Sequence, residues 1–321
     1  MDEKTKPMIN GAYESEYMRI PVYRTRWQIF KNCLYNPEEN TILTRTKRQW
    51  GITGLFYIVF FSGLSVLFAI CMKAMLATLS DERPRYILDE SLIGTNPGLA
   101  IRPMDDSGLF ISYSSSNETQ VKYWIDLIDK FLEDYKNSSR LINGGRNQQI
   151  CNYKQKARKG MTCNVDVSDW GPCTSEEGYG FNNSSPCIFI KLNKIIGWTP
   201  QVYNDTNELP PEMPESLVKK INSLNGSSES NTIWLSCKGR KAHDDEAIGE
   251  IEYYPSTQGF PSFYYPYENI PGYLSPLVAV HFRRPQRNKE IYIECRAWAK
   301  NIKHDVREQF GVVLFHLLIN D

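Results

Sequence analysis

Residues 51–72 read GITGLFYIVFFSGLSVLFAICM, 22 positions without a charge. At 1.5 Å per residue a helix of that length runs about 33 Å, enough to cross a hydrocarbon core of about 30 Å. This segment divides the chain into a short head, a single span and a large remainder. Arg45, Lys47 and Arg48 stand just before it, and the positive-inside rule places that flank in the cytoplasm. On the far side, Lys73, Arg83 and Arg85 are partly offset by Asp81 and Glu82. The six Asn-X-Ser/Thr sequons, at Asn117, Asn137, Asn182, Asn183, Asn204 and Asn225, all lie beyond the span, as do six of the eight cysteines. Oligosaccharide addition and lasting disulfides belong to the secretory lumen and the cell exterior. The apolar run begins too far along, and is too long, for a cleavable signal peptide. It reads as an uncleaved signal anchor in a type II protein, N-terminus inside.

The expected organisation is therefore a cytoplasmic tail over 1–50, a transmembrane helix over 51–72, an extracellular stalk over 73–108 and a disulfide-bonded, glycosylated domain over 109–321. The stalk assignment rests on Pro84, Pro97, Gly98 and Pro103. Charge gives little else. The first 50 residues hold nine Lys/Arg against six Asp/Glu, and the rest 28 against 31. That balance, with no zinc spacing, gives no reason to expect nucleic acid as a partner.

Beyond the stalk two periodicities appear. Trp124, Leu127, Ile128, Phe131, Leu132 and Tyr135 fall on one face of a helix, which Asn117 or Thr119 could cap. Elsewhere the period is two. LFISYS at 109–114, CIFIKLNKII at 187–196, TIWLSCK at 232–238, IGEIEYY at 248–254, LVAVHF at 277–282, EIYIECRAW at 290–298 and FGVVLFHLLI at 310–319 read as strands. The pattern predicts an antiparallel β-sandwich with one embedded helix. Cys237 shares a face with Ile233 and Leu235, and Cys295 with Ile291, Ile293 and Ala297. That parity suggests a bridge between the two sheets of a sandwich. Cys151, Cys163, Cys173, Cys187, Cys237 and Cys295 can pair in 15 ways; pairing in sequence order is the simplest. Cys33 and Cys71 read as free thiols, in the tail and the span.

Catalytic chemistry is hard to find. Of the four histidines, only His243 sits in a cluster of acids, His243-Asp244-Asp245-Glu246; it could hold a cation but reads as a solvated loop. No H-E-x-x-H, G-x-S-x-G or Gly-rich phosphate loop occurs, and no Asp-x-Asp, so no cofactor is expected. The span is more informative. Phe56, Tyr57, Phe60, Phe61 and Phe68 form an aromatic stripe with Ser62 and Gly63 beside it. Small and polar positions of this kind serve helix–helix contact.

These residues carry a resemblance. Arg26-Trp27-x-x-Phe30, Tyr35-Asn36-Pro37-Glu38, Arg45-Thr46 and Trp50 before the span, Phe56-Tyr57 within it, and Pro97-Gly98-Leu99 with Arg102-Pro103 after it resemble the β-subunit family of the sodium/potassium- and proton/potassium-transporting ATPases. So do Pro186-Cys187 leading into Lys191-Leu192-Asn193-Lys194-Ile195-Ile196-Gly197, and Tyr264-Tyr265-Pro266-Tyr267 followed by Tyr273-Leu274-x-Pro276-Leu277. Thr44 stands where the family usually has Gly, and Phe61 where a second Tyr is common. The resemblance implies a noncatalytic subunit without a cofactor, lying in the bilayer of the plasma membrane. It implies pairing with the catalytic α subunit of a P-type cation ATPase, helping that subunit fold and leave the endoplasmic reticulum, and tuning potassium affinity. It also implies an all-β immunoglobulin-like sandwich with one inserted α-helix, and disulfides paired in sequence order. The contact residues it suggests are Tyr57, Phe61 and Gly63 in the span and Tyr264, Tyr265, Tyr267, Tyr273 and Leu274 outside. A cell-adhesion glycoprotein and a membrane-bound glycosyltransferase are the rival classes.

Overall fold

The structure is a computed structural model and describes residues 25–37, 40–43, 45–80, 83–106, 108–203 and 208–321. The sequon at Asn204, and the expectations resting on Glu38, Thr44, Asp81 and Glu82, lie outside the described residues. The chain is rich in β-structure, carries one long apolar helix near its N-terminus, and divides into two units, Met1–Leu79 and Ser80–Asp321.

In the first unit, helix α1 (Arg26–Leu34) starts at a capping box between Thr25 and Gln28. Three two-residue strands follow, β1 (Tyr35–Asn36), β2 (Thr41–Ile42) and β3 (Arg45–Thr46), joined antiparallel. Thr46 and Gln49 form a second capping box, which satisfies backbone donors that a helix start leaves unpaired. From it runs α2 (Lys47–Leu76), which contains the predicted span and extends it at both ends. The small sheet is tied to the start of α2: the Trp50 indole N–H donates to the Ile42 carbonyl (2.8 Å), and Arg45 Nη1 donates to Thr53 Oγ1 (2.9 Å).

The second unit begins with a departure from the sequence pattern. Residues 99–102, in the expected stalk, form strand β4 (Leu99–Arg102) inside a sheet. Strand β5 (Phe110–Ser114) and helix α3 (Glu118–Lys136) follow. Asn117 caps α3, its side-chain oxygen accepting from the N–H groups of Thr119 (3.1 Å) and Gln120 (3.3 Å). Val121, Trp124, Ile128 and Leu132 are its buried face. Strands β6 (Gln148–Gln149) and β7 (Thr162–Cys163) form a short parallel pair. The remaining elements are β8 (Cys187–Leu192), α4 (Glu215–Ser223), β9 (Thr232–Gly239), α5 (Ala242–Ala247), β10 (Ile251–Tyr254), β11 (Gly259–Pro261), β12 (Val278–Phe282), β13 (Ile291–Trp298) and β14 (Val312–Asn320).

Two sheets result, ordered β10-β12-β8-β4 and β11-β9-β13-β14-β5. Residues from both enter one hydrophobic core, where Phe282 of the first meets Phe315 of the second at 6.2 Å between ring centres. Pairing is antiparallel except at β14 and β5, which run parallel. No tight turn links these two strands, so nothing local forces them antiparallel.

The single embedded helix of the sequence pattern is also too few. Helix α4 seats Leu217 and Ile221 on Trp234 and Trp298, together with Met213, in a second hydrophobic cluster. This cover explains why β9 is buried at nearly every position instead of alternating.

The three disulfides are Cys151–Cys163, Cys173–Cys187 and Cys237–Cys295. The last does not bridge two sheets. Cys237 and Cys295 lie directly opposite on neighbouring strands β9 and β13, with Cα atoms 4.0 Å apart. Parity fixed their shared face; it could not say that the strands were adjacent. The His243–Glu246 stretch is likewise not a solvated loop. It forms most of α5, where Asp244 is fully buried and accepts from the Lys241 (3.2 Å) and Tyr292 (3.3 Å) N–H groups. Asp245 accepts from the Gly239 N–H (2.9 Å). A Cβ at Gly239 would lie 2.0 Å from the Asp245 nitrogen, so only glycine fits that approach. Both aspartates are used as backbone fasteners, and among the described residues no cluster suits a metal ion.

Candidate partner-contact surfaces

On α2, side chains four apart stack along the helix, as its 3.6-residue turn requires. Tyr57 lies 5.9 Å from Phe61 and Phe56 lies 6.0 Å from Phe60, with edge contacts between the two rows at 5.5 and 5.4 Å. All four rings are exposed, and no residue of α2 is buried. Gly63 has open space around it. Six residues from Tyr57, it lies about 120° around the axis, on the Phe56 side. The span thus offers two faces, a Tyr57–Phe61 row and a Gly63 notch, and one straight neighbouring helix would not cover both.

In the second unit the segment 262–274 divides into core and surface. Tyr265 is buried against Trp198 (5.6 Å) and Leu274 is buried in the main core. The chain turns the side chains of both these expected contact residues inward. Tyr264 is half-buried; its hydroxyl donates to the Asn164 carbonyl (3.0 Å), and burial pushes its pKa up to about 12. Tyr267 and Tyr273 form the outward part. Their rings sit 4.8 Å apart, and the Lys194 ammonium lies 5.2 Å from each ring centre. Burial lowers the Lys194 pKa and raises those of Tyr267 and Tyr273. The negative ring faces offset part of the ammonium's lost hydration.

Lys194 also lines a mostly apolar cleft of about 220 Å³ with Tyr86, Ile87, Ile93, Ile196 and Tyr267. The Gly197 N–H donates to the Tyr267 carbonyl (2.8 Å) and holds the two segments together. Beside the cleft Leu92 is wholly exposed, and Ile93 and Tyr86 are 75% and 62% exposed. Sequence reasoning quoted Lys194 only as part of a motif and did not see this cleft. The available signal was a lysine ahead of two isoleucines, Lys194-Ile195-Ile196, which does not name the rings it meets.

Among the described residues, the sequon asparagines Asn117, Asn137, Asn182, Asn183 and Asn225 are all exposed. Asn117 and Asn137 sit at the two ends of α3.

The sodium/potassium ATPase beta chain family model matches residues 21–315. The chain belongs to this family. It is 44% identical to a sodium/potassium-transporting ATPase subunit beta-2 of Drosophila melanogaster, over 98% of this chain and 99% of that protein. It is 42% identical to subunit beta-1 of the same organism, over 91% and 93%. Against the Homo sapiens subunit beta-2 the identity is 29%, over 91% and 94%.

Proposed function

We propose that the protein is a noncatalytic β subunit of a sodium/potassium-transporting P-type ATPase. It pairs with the catalytic α subunit, supports that subunit's folding and delivery to the plasma membrane, and modulates its potassium affinity. Family membership across nearly the whole chain carries this reading. The wholly unburied α2 supports it, since an aromatic row and a glycine notch exceed what a plain anchor needs. In this reading residues beyond α2 are extracellular, as the sequons and disulfides suggest, and the two sheets form an immunoglobulin-like sandwich. Tyr57, Phe61 and Gly63 meet α within the bilayer. Tyr267, Lys194 and the neighbouring cleft meet it outside.

The test is affinity purification of the full chain in mild detergent. A multispan ATPase should copurify at one-to-one stoichiometry. Recovery of the chain without any ATPase, or only with molecules from adjoining cells, would overturn the proposal and favour adhesion. Orientation has its own readout: a glycan acceptor engineered into the first 40 residues should stay unmodified in cells, while the acceptors beyond residue 72 carry sugar.

A further inference from the structure

We propose that the loop closed by Cys151 and Cys163, with the aromatic cavity behind it, binds an anionic saccharide, a sugar carrying sulfate or carboxylate. In a cell this rests on the extracellular placement proposed above; the binding itself can be measured whichever way the chain inserts.

The loop from Cys151 to Cys163 contains Lys154, Lys156, Arg158 and Lys159 and no acidic residue, whereas the chain beyond residue 50 carries 28 Lys/Arg against 31 Asp/Glu. All four side chains are exposed. Among the described residues none of them forms an ion pair, while Lys136, Arg140, Arg283, Arg287 and Arg296 each meet a carboxylate. The loop is held in shape as well as closed. Asn152 and Gln155 exchange backbone hydrogen bonds at 3.0 Å, and the Asn152 side-chain oxygen accepts from the N–H groups of Lys154 (2.9 Å) and Gln155 (2.8 Å). The Gln149 side-chain amide donates to the Lys156 carbonyl (3.0 Å). Four like charges on a fixed backbone repel one another, and an anion relieves that repulsion with little ordering cost.

Behind this rim lies a cavity of about 320 Å³, lined by Lys156, Arg158 and Lys159 and by Phe263, Tyr264 and Tyr273. Phe263 is fixed by Tyr153 (5.1 Å) and Tyr264 (4.5 Å). Glu268 is the one acid in the lining. The polarised C–H bonds of a sugar ring pack on the negative face of an aromatic ring, and guanidinium and ammonium groups bind its sulfate or carboxylate. Free phosphate would use the cations and leave the rings idle. The cavity, near the small end of ligand pockets, admits about one sugar ring with its substituents.

The experiment passes the detergent-purified complex of the full chain over heparin and over sialyllactose supports in a salt series. The variant Lys156→Ala/Arg158→Ala/Lys159→Ala should bind about tenfold more weakly, with a dependence on log salt shallower by about two to three. Lys122→Ala/Lys130→Ala/Lys238→Ala removes the same charge from other exposed positions and should bind like the parent. Phe263→Leu, at unchanged melting temperature, should weaken binding of a sulfated disaccharide without changing the salt slope. Retention on heparin alone identifies a sulfated chain as the source, and retention on sialyllactose alone a sialylated glycan. The proposal fails if neither support retains the complex, if both triple variants weaken equally, or if polyglutamate competes as well as heparin at equal charge.

Discussion

The long helix and the β-domain use apolar residues in opposite ways. In α2, Leu55, Phe56, Ile58, Val59, Phe60, Phe61, Val66, Leu67 and Phe68 are all at least half exposed. In the second unit Ile101, Ile128, Phe189, Trp234, Phe260 and Phe315 are essentially inaccessible. The β-domain is closed on itself: its disulfides, capped helix and two clusters satisfy it from within. Beyond Gln49, Trp50 and Thr53 at its start, the helix meets no side chain outside itself among the described residues, so its apolar surface is left for lipid or for another chain. Substitutions in the β-domain should therefore change folding, and those in α2 should change what the chain binds.

The largest expected effect lies in the β-domain. Replacing Cys237 and Cys295 together by serine opens a loop with a sequence separation of 58. By chain entropy that costs about 4 kcal/mol, and the two hydroxyls left in the core add to it. Thermal unfolding should show the loss, and in cells the variant should stay in the endoplasmic reticulum. Unchanged stability would mean that the core beneath these strands suffices, and would weaken the contrast.

The end of α3 gives a smaller effect and separates two roles of one residue. Asn117→Ala removes the cap and the sequon and should cost about 1 kcal/mol. Asn117→Asp removes only the sequon, because aspartate also caps, and should be close to neutral. Equal losses would assign the stabilisation to sugar instead of to the cap.

The residues whose roles the sequence made plain are those whose signal is local. The face of α3 from Trp124 to Tyr135, the cap at Asn117 and the strands around Cys237 and Cys295 are periodic within a few residues, and they appear where the pattern puts them. What escaped depends on distant partners. Leu99–Arg102 is four residues between prolines, and only pairing with β8 makes it a strand. Leu217 and Ile221 are two apolar positions in a nine-residue helix, and their role needs Trp234 and Trp298. Tyr265 and Tyr267 lie two apart in an aromatic run, yet one is core and the other surface. Composition gives both the same weight, and only the Trp198 ring and the Gly197 N–H distinguish them.

Acid tests the β-domain more finely. His304 packs on Trp298 (4.6 Å), and its Nε2 lies 2.7 Å from the Ala297 carbonyl. Burial lowers its pKa, outweighing that bond to Ala297. In the window from the unfolded value near 6.5 down to the lower folded value, the unfolded chain binds the proton and the native chain does not. Stability therefore falls as pH drops through that window. The parent should lose more stability between pH 7 and 5 than His304→Gln, by less than the cap is worth. Parallel pH profiles would show that His304 is protonated equally in both states.

The smallest effect on the chain itself belongs to the helix. Tyr57→Leu/Phe61→Leu keeps the span as apolar as the bilayer requires, so insertion, surface level and unfolding of the β-domain should not change. What is lost is ring packing and any bond the Tyr57 hydroxyl makes to a neighbouring helix, an interaction worth about 0.6–2 kcal/mol where it forms. Spread over the whole interface, such a loss should leave the complex with α assembled. It can still move a transport equilibrium, though only by the part of the contact that differs between the two states. We expect the apparent potassium affinity of the assembled pump to shift by less than about threefold, read from potassium activation of ATPase activity at matched surface expression. Identical activation curves would leave α2 as an anchor. Loss of the complex would mean that this row of rings, closed within the chain only by its own neighbours, is the main site of assembly.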